Sequence, residues 1–463
     1  MTGSTYTRRG FLGLTAAAAV AGTAACTGAA PGGSTGTGNT APASNNLRLF
    51  TYEDDTTIGL LKSVVAAFDS QNGTTTRVDS LPGSGAAVYP DKLRAELLGG
   101  AGPDIWRIWG GQIGSPFAKA KQALDLSPYY AKFGWDSKLN ANAVAGMTFD
   151  GVKSGAPFVA NAIGGWYSKA AFDKAGISAP PTSYAELEEA NDKLVAAGIT
   201  PCTLGGKYGW DIMRLFEYLL ETSAGPDLHD KLLTGAESWD RAEVVTAFTN
   251  FKKWQDSKWL PNGALGLDPS DVETDYVTGK AAYTLTGTWT EAQGIQAAKK
   301  SSSDFGTFLL PTDQSTKRHS GFVEGYMISA KTGNADKAAA LIDHLLLPES
   351  QKALAITAST VTGAEPDKAK LPLSYEWTEI SKTSPFYTIQ DQAFPKKRAD
   401  QYFSVQSDVL QGKMSPADAA KADADRRGRP AQVLTPWPQQ PPPSLPPPSW
   451  WPGSGRTRRG TAA

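Results

Sequence analysis

Two periodicities of apolar residues alternate along the amino-terminal part of the chain. Residues 47–52, 74–80 and 104–109 alternate apolar and polar positions or are mostly apolar, which predicts β-strands. Between them, residues 58–68 and 92–98 place apolar side chains at helical spacing. This strand–helix–strand order predicts a parallel sheet flanked by helices. Sheets of this kind bind ligands at the carboxyl ends of their strands.

The same alternation continues in the second half of the chain. Ser183 and Glu186 form a capping box, in which the hydroxyl accepts from a free backbone N–H and the glutamate reaches back, so a helix is expected to begin there. Residues 281–286 predict a strand, and residues 335–346 predict an amphipathic helix capped by Asn334. The whole pattern predicts an α/β fold.

The first 26 residues have the layout of an export signal. The pair Arg8-Arg9 precedes an alanine-rich apolar stretch over residues 11–25 that contains no acidic residue. Residues 7–12 resemble a twin-arginine signal. We therefore expect the mature protein to lie outside the cytoplasm, exported by the twin-arginine route.

Residues 23–26 resemble a lipobox, in which Cys26 is lipidated and becomes the mature N-terminus. Thr23 stands where a lipobox usually has leucine, so plain secretion with an incidental Cys26 is the alternative. Lipidation would leave Cys202 with no cysteine to pair with. The uncharged residues 27–46 predict a flexible tether between membrane and domain.

The carboxyl-terminal residues 428–463 differ in composition from the rest. They contain no Asp or Glu and ten of the 31 prolines, which excludes sheet ladders and helices and predicts a disordered or polyproline II tail. A wall-spanning or proline-recognition segment is an alternative. A third interpretation is out-of-frame translation of a GC-rich gene, which resequencing the 3′ end of the gene tests.

Composition excludes several classes of protein. The 463 residues carry a formal net charge of −1, which argues against a nucleic-acid binder. Without the signal and the tail, 39 basic residues face 46 acidic ones, so the core is mildly acidic. Two cysteines and three dispersed histidines argue against a disulfide scaffold, a zinc cluster or a haem site. No metal or cofactor is expected, because no nucleotide-binding or hydrolase motif occurs.

Tryptophan placement points to ligand binding. Trp109, Trp210 and Trp289 lie beside glycine in loop-like contexts, where an indole ring is available to a ligand. Sugar rings have an apolar C–H face and a rim of hydroxyls, and they bind by stacking on aromatic faces among polar groups. By contrast, Trp254 and Trp259 are interpreted as helix packing.

Several short motifs, in order, resemble the family 1 extracellular solute-binding proteins of ATP-binding-cassette sugar importers, relatives of maltose-binding protein. The resemblance covers residues 47–425. Its motifs are Gly102-Pro103-Asp104-Ile105, residues 166–177, residues 180–187, residues 279–283, Gly287-Thr288-Trp289 and residues 411–416. One departure is Ser168, where the family usually has asparagine.

The resemblance implies a two-lobed, periplasmic-binding-protein-like (type II) α/β fold with hinge crossings. Lobe one would comprise residues 47–157 and 321–360, and lobe two residues 162–312 and 365–425. The crossings would lie near residues 157–161, residues 311–320 and Glu365.

The resemblance also implies a set of sugar-binding residues between the lobes. Trp289 aligns with an aromatic platform, Trp109 and Gln112 with a ligand-contacting loop of lobe one, and Asp55 with a polar contact after the first strand. The remaining candidates, taken by position, are Asn161 at the first hinge, Lys207, Trp210, Glu324 and Asp391.

The implied function is that of an extracellular substrate-binding lipoprotein without catalytic activity. It would capture a sugar, favoured as an oligosaccharide, and deliver it as a monomer to the transmembrane subunits of an importer. The main alternative is a secreted glycoside hydrolase, which needs two carboxyls about 5–10 Å apart, such as those of Glu53 and Asp55. A metal-binding protein of the same fold would need clustered tyrosines or histidines, which the sequence does not show.

Overall fold

The computed structural model describes residues 43–81 and 85–425, all within one unit that spans residues 40–463. The predicted signal peptide with Cys26, nearly all of the tether and the proline-rich tail lie outside the described residues. No helix in the described part has the length and apolar character needed to cross a bilayer.

Strands and helices alternate along most of the described chain. The strands are β1 (Asn46–Thr51), β2 (Thr75–Ser80), β3 (Ile105–Trp109), β4 (Thr148–Phe149), β5 (Val152–Lys153), β6 (Ala156–Ser168), β7 (Thr200–Thr203), β8 (Ala281–Gly287), β9 (Phe305–Phe308), β10 (His319–Ile328) and β11 (Phe386–Thr388). The helices are α1 (Asp55–Asn72), α2 (Gly85–Leu98), α3 (Gly111–Lys119), α4 (Ser127–Phe133), α5 (Trp135–Lys138), α6 (Ala141–Gly146), α7 (Lys169–Lys174), α8 (Tyr184–Ala196), α9 (Trp210–Thr234), α10 (Ala242–Asp256), α11 (Pro269–Val272), α12 (Asp275–Thr278), α13 (Ala335–Leu345), α14 (Pro348–Ala353), α15 (Pro372–Thr383), α16 (Gln390–Ala393), α17 (Lys396–Leu410) and α18 (Pro416–Asp425). The α/β prediction is confirmed.

The central sheet has the strand order β2-β1-β3-β10-β6-β8-β7, with β11 paired to β10 and β9 paired to β6. Strand β1 is parallel to both β2 and β3, as the sequence pattern predicts. The long strands β10 and β6 are antiparallel to each other, and β10 is also antiparallel to β3. Strand β6 pairs with β10 through its first half and with β8 and β9 through its second half.

Helix α1 shows how local sequence sets the element ends. The Asp54 carboxylate accepts from the backbone N–H groups of Thr56 and Thr57 and caps the first turn. The helix ends at Gly73, which adopts a left-handed conformation with φ of 60°. Its buried face contains the apolar residues on which the prediction depended, namely Leu61, Val65 and Phe68.

Helix α8 begins at the predicted capping box. The Ser183 hydroxyl accepts from the Glu186 N–H at 3.2 Å, and the Glu186 carboxylate reaches back to accept from the Thr182 N–H at 2.7 Å. Burial of Leu187 and Leu194 then holds the helix against its neighbours.

The predicted cap at Asn334 is wrong in one respect. Asn334 occupies the N-cap position of α13, but its side chain makes no capping hydrogen bond. Its Oδ1 accepts from the Ser44 N–H at 2.7 Å, and its Nδ2 donates to the Asn46 carbonyl at 3.0 Å. The amide thus fastens the start of the described chain to α13, because two backbone groups of the incoming segment offer a better-placed donor and acceptor.

Strands β1 and β3 are rich in apolar residues because both faces of the sheet are covered there. Leu49 and Ile105 point into a cluster with α1 and α13, while Phe50 and Trp106 point into a cluster on the opposite face with α2 and α3. A separate, larger cluster lies around α8, α9, α10 and α17. It contains Trp254 and Trp259, which confirms their interpretation as packing residues.

Strands β6 and β10 run through both halves of the sheet. Ala156 and Phe158 of β6 belong to the cluster with α1, whereas Ile163 belongs to the cluster around α9. Both strands therefore pass from one core to the other. The lobe boundaries and hinge positions inferred from the family resemblance stay predictions.

The close packing around Gly164 of β6 can be tested by substitution. A Cβ at this position would lie 2.0 Å from the Trp377 indole and 3.1 Å from the Phe308 carbonyl. Gly164→Ala should therefore lower the free energy of unfolding by about 1–3 kcal/mol through overpacking, measured by urea denaturation. Gly59→Ala is the control, since a Cβ there meets open space on α1 and should leave stability unchanged or slightly raised. Equal effects of the two substitutions would contradict the packing.

Candidate functional site

A buried ion cluster lies at the carboxyl end of β1, beside β3 and β10. The Arg107 guanidinium of β3 pairs with the Glu53 carboxylate after β1 and, at 2.6 Å, with Glu324 Oε2 of β10. All three side chains are at most 9 % exposed. Burial of a charge is tolerated when it is paired and hydrogen-bonded, so each group depends on the others.

Glu324 connects this cluster to the rest of the sheet. Its Oε2 accepts from the Tyr52 hydroxyl at 2.5 Å, and its Oε1 accepts from Asn161 Nδ2 of β6 at 3.1 Å. Asn161 Oδ1 in turn accepts from the Thr288 hydroxyl, at 3.1 Å, in the turn after β8. A chain of hydrogen bonds thus runs from the loop after β1, across β10 and β6, to the turn after β8.

Tyr52 and Trp109 form an aromatic pair above the ion cluster. Their ring centroids are 4.1 Å apart with an interplanar angle of 13°, and the Arg107 guanidinium lies 5.5 Å from the Tyr52 ring. Burial and the charge of Glu324 raise the pKa of Tyr52 well above its usual value, so the hydroxyl stays a donor. Trp109 is half-buried and packs against the cores on both sides of the crossing strands.

A second aromatic group lies across from this pair. The Arg214 guanidinium lies close to two indoles, 4.8 Å from the Trp210 ring and 5.3 Å from the Trp289 ring. Its Nη1 donates to Asp211 Oδ1 at 2.7 Å and to the Leu285 carbonyl at 3.1 Å. Cation–π contact and the ion pair therefore hold both tryptophans at a defined separation.

The turn Gly287-Thr288-Trp289 is shaped by the Trp289 ring. A Cβ on Gly287 would lie 1.8 Å from that ring, so only glycine fits there. Trp289 Nε1 donates to Glu273 Oε1 at 2.7 Å, and the Thr286 hydroxyl donates to the same oxygen at 2.5 Å. The indole orientation is thus set by a hydrogen bond as well as by packing.

Helix α16 brings Asp391 to the same region. The Gln390 N–H donates to Glu217 Oε2 at 2.9 Å, and Gln390 Nε2 lies 2.8 Å from His229 Nε2, which fixes the helix from below. Asp391 Oδ1 is buried and has no hydrogen-bond partner among the described residues. Burial raises the pKa of Asp391 to about 6, against the opposing charge of Arg214.

The two sides of the site touch each other. A Cβ on Gly111, at the start of α3, would lie 2.4 Å from the Gln392 carbonyl of α16. The Gln293 amide donates to the Thr57 hydroxyl of α1 at 3.3 Å. The site therefore lies where the elements around β1 and β3 meet those around β8 and α16.

Six of the predicted site residues come together here. They are Trp109, Asn161, Trp210, Trp289, Glu324 and Asp391. Gln112 lies half-buried at the first turn of α3, and Asp55 is exposed on the first turn of α1. Lys207 is exposed and pairs with Asp268 at 3.0 Å. No hydrogen bond or ion pair within the described ranges joins these three to the cluster.

The sequence analysis missed other residues of the cluster, and some of them carried a signal. Arg107 is the one charged residue in the strand Ile105–Trp109, and Arg214 interrupts a largely apolar stretch of α9. Charges in apolar segments are buried with partners or serve function. Tyr52 and Glu273 carried no such signal, and Thr288, although part of the motif Gly287-Thr288-Trp289, was not chosen as a site residue.

The described residues contain no cluster of three or more histidine, cysteine, aspartate or glutamate side chains suited to a metal ion. What this site offers is aromatic faces, carboxylate and amide acceptors, and hydroxyl donors. Such a set suits a ligand with many hydroxyl groups and some apolar surface.

Solved structures with the same architecture are two-lobed solute-binding proteins. A chitin oligosaccharide binding protein is 25 % identical with a TM-score of 0.74, covering 82 % of this chain and 97 % of that one. A maltose-bound protein of T. maritima is 19 % identical with a TM-score of 0.70, covering 82 % and 98 %. The predicted two-lobed binding-protein fold is thereby confirmed.

Sequence comparison places the chain in a family. The model described as bacterial extracellular solute-binding protein matches residues 54–352, and the chain belongs to this family. A probable sugar-binding periplasmic protein of Brucella suis is 28 % identical over 235 residues, 50 % of this chain and 54 % of that protein. The chain thus spans about half the length of the curated relatives it matches.

The buried Glu217 beneath α16 gives the stability a defined pH dependence. Burial raises the pKa of Glu217 to about 8, so between pH 6.5 and 8 the folded protein holds a proton that the unfolded chain has released. Stability should therefore fall as the pH rises through this window, by up to about 1.4 kcal/mol per pH unit. Urea denaturation at several pH values measures the slope.

Glu217→Gln is the matched variant, because the amide cannot titrate. Its slope between pH 6.5 and 8 should be close to zero. The pKa values of Asp211 and Asp391 are about 6, and that of His319 is about 4. These groups therefore change protonation in the folded protein mostly below pH 6.5. An unchanged slope in Glu217→Gln would assign the pH dependence to another group.

Proposed function

We propose that the protein binds a saccharide in the cleft between its two lobes and presents it to the membrane subunits of an ATP-binding-cassette importer. The observation that carries this proposal is the arrangement of Trp109, Trp210 and Trp289 around carboxylate and amide acceptors. Indole faces stack on the C–H faces of sugar rings, while Asn161 and Asp391 offer polar partners to the hydroxyls.

Closure of the lobes is the proposed binding step. In the open protein each lobe carries half of the site, and a sugar that contacts both halves shifts the population toward the closed form. The contacts between Gly111 and Gln392 and between Thr57 and Gln293 are those expected of a closed arrangement. The lobes of this proposal keep the boundaries inferred from the family resemblance.

An oligosaccharide is the favoured ligand. Several tryptophan faces distributed along the cleft suit more than one sugar ring. Names of similar proteins support this choice, since they include a chitin oligosaccharide binding protein and a binding protein in complex with raffinose. A ligand lacking one hydroxyl would leave a buried acceptor unpaired, which is the physical basis of the proposed specificity.

The proposed role does not include catalysis. Glu53, one of the two carboxylates considered for a hydrolase, is buried in an ion pair with Arg107, while Asp55 is exposed on α1. This arrangement is unlike a pair of carboxyls facing each other across a scissile bond. We further propose export through the twin-arginine route, a lipid anchor at Cys26 on the extracellular face of the membrane, and a monomeric state.

A thermal-shift screen tests the binding function. The purified protein is heated with xylo-, malto-, cello-, chito- and galacto-oligosaccharides, and the sugar is recovered afterwards. A ligand that binds only the folded state raises the midpoint, so one class should give a clear rise and be recovered intact. Recovery of cleaved sugar would favour the hydrolase, and absence of any shift would contradict a saccharide ligand.

Tryptophan substitutions test the proposed stacking faces. Trp210→Ala and Trp289→Ala should each weaken binding of the sugar found in the screen by roughly 10- to 100-fold, because about 1.5–3 kcal/mol of apolar burial is lost. Isothermal titration measures the affinity. Trp135→Phe is the control, since Trp135 is fully buried in the cluster with α1 and α13 and hydrogen-bonded to Asp343. Unchanged affinity in both alanine variants would contradict the stacking.

A further inference from the structure

One oxygen of the Glu273 carboxylate accepts several hydrogen bonds from the turn after β8. Glu273 lies between α11 and α12, and its Oε1 accepts from Trp289 Nε1 at 2.7 Å, from the Thr286 hydroxyl at 2.5 Å and from the Thr290 hydroxyl at 3.4 Å. Both threonines are at most 1 % exposed. The same oxygen therefore binds the indole and residues on either side of it, and all three donors are neutral.

The segment that carries Glu273 is held in place without help from this turn. The Glu273 N–H donates to the Pro269 carbonyl at 2.9 Å. The Thr203 hydroxyl of β7 donates to the Val272 carbonyl at 3.4 Å. The acceptor is therefore attached to the sheet at β7, so it offers a fixed point to the Trp289 ring.

The backbone of the turn is held by a different carboxylate. Glu291 is fully buried and accepts from the Ser374 N–H, at the start of α15, at 2.7 Å. The Ser374 hydroxyl donates to the Thr288 carbonyl at 3.3 Å. Loss of the Glu273 acceptor should therefore release the Trp289 ring while the turn itself stays in place.

We propose that Glu273 is a positioning residue of the saccharide site, which acts by fixing the orientation of the Trp289 indole. This inference rests on the proposed saccharide-binding function and adds a residue to that site. The indole is half-buried, and its rotation is restricted by packing against Gly287 and by the hydrogen bond at Nε1. A ring that is oriented before the sugar arrives loses less rotational freedom on binding, and this raises the affinity.

Removal of the acceptor should weaken binding. The probe is the xylo-, malto-, cello-, chito- or galacto-oligosaccharide that gives the largest thermal shift, titrated calorimetrically into the full-length protein. Glu273→Leu should bind it about tenfold more weakly, because the indole N–H loses its acceptor. Glu273→Gln keeps a carbonyl oxygen at this position and should bind within about twofold of the wild type. Unchanged affinity in Glu273→Leu, or an equal loss in both variants, overturns the proposal.

Asp192→Leu is the matched control. Asp192 on α8 accepts from Trp259 Nε1 at 3.0 Å, and Trp259 is buried in the cluster around α8, α9, α10 and α17. This substitution also removes the carboxylate acceptor of an indole N–H, but from an indole that is not accessible to a ligand. The affinity should stay within about twofold of the wild type. A loss as large as that in Glu273→Leu would assign the effect to general loosening of the core and overturn the proposal.

A double-mutant cycle separates positioning from direct contact with the sugar. Phenylalanine has no N–H group, so Glu273 has no indole to orient in a Trp289→Phe background. There, Glu273→Leu should change the affinity by no more than about twofold. If Glu273 contacts the sugar directly, or only stabilises the fold, the substitution should weaken binding equally in both backgrounds, which overturns the proposal.

The indole N–H gives a second readout that needs no ligand. In a proton–nitrogen correlation spectrum of protein labelled at the tryptophan nitrogens, the Trp289 indole signal is the one lost in Trp289→Phe. Its proton should move upfield in Glu273→Leu and stay near the wild-type position in Glu273→Gln. If Glu273→Leu does not fold, Glu273→Asp withdraws the acceptor by one methylene and should move both the signal and the affinity in the same direction. A signal that does not move overturns the proposal.

Failure of this inference is distinct from failure of the proposed function. If a saccharide binds the wild type and Glu273→Leu keeps the same affinity, the receptor function stands and the positioning role is wrong. If no saccharide binds the wild type, the proposed function is wrong and the positioning role is wrong with it.

Discussion

The buried ion cluster of Arg107 with Glu53 and Glu324 is the constraint on which the rest of the site depends. A guanidinium taken out of water needs two well-placed carboxylates, and these come from the loop after β1 and from β10. Their mutual attraction joins the end of β1 to the middle of β3 and of β10. Tyr52 and Asn161 are then placed by hydrogen bonds to Glu324, and Trp109 by stacking on Tyr52.

On the proposed function, the crossing strands carry candidate binding residues through the region where closure of the lobes would act. Asn161 and Glu324 lie on β6 and β10, the strands that pass from one core to the other, and Asn161 bonds Thr288 on the far side. Any change in the angle between the lobes therefore alters hydrogen bonds that also define the site. In a binding protein, such hydrogen bonds couple ligand binding directly to closure of the lobes, and no further set of residues is needed to connect the two.

Much of the fold could be predicted from local sequence, and much of the site could not. The strands and helices up to β3 follow from apolar periodicity, because burial of both sheet faces imposes it. The motif Gly287-Thr288-Trp289 could be recognised in the sequence. Its glycine is required because the Trp289 ring leaves no room for a Cβ at Gly287. Asn334 was misjudged because its partner, Ser44, is 290 residues distant. The contacts of Arg214 with Trp210 and Trp289 could not be predicted either. They form only when α9 packs beside the turn after β8, and no local sequence pattern indicates that contact.

The attachment of Ser44 to Asn334 has a mechanical consequence. Two hydrogen bonds from the Asn334 amide, together with Lys337 Nζ on the Ser44 carbonyl, tie the incoming chain to α13 beside β1. A force applied to the chain before Ser44 would therefore enter the protein at β1 and α13. Both elements are remote in sequence from α9. With the proposed lipid anchor at Cys26, tension from the membrane would act first on β1 and α13.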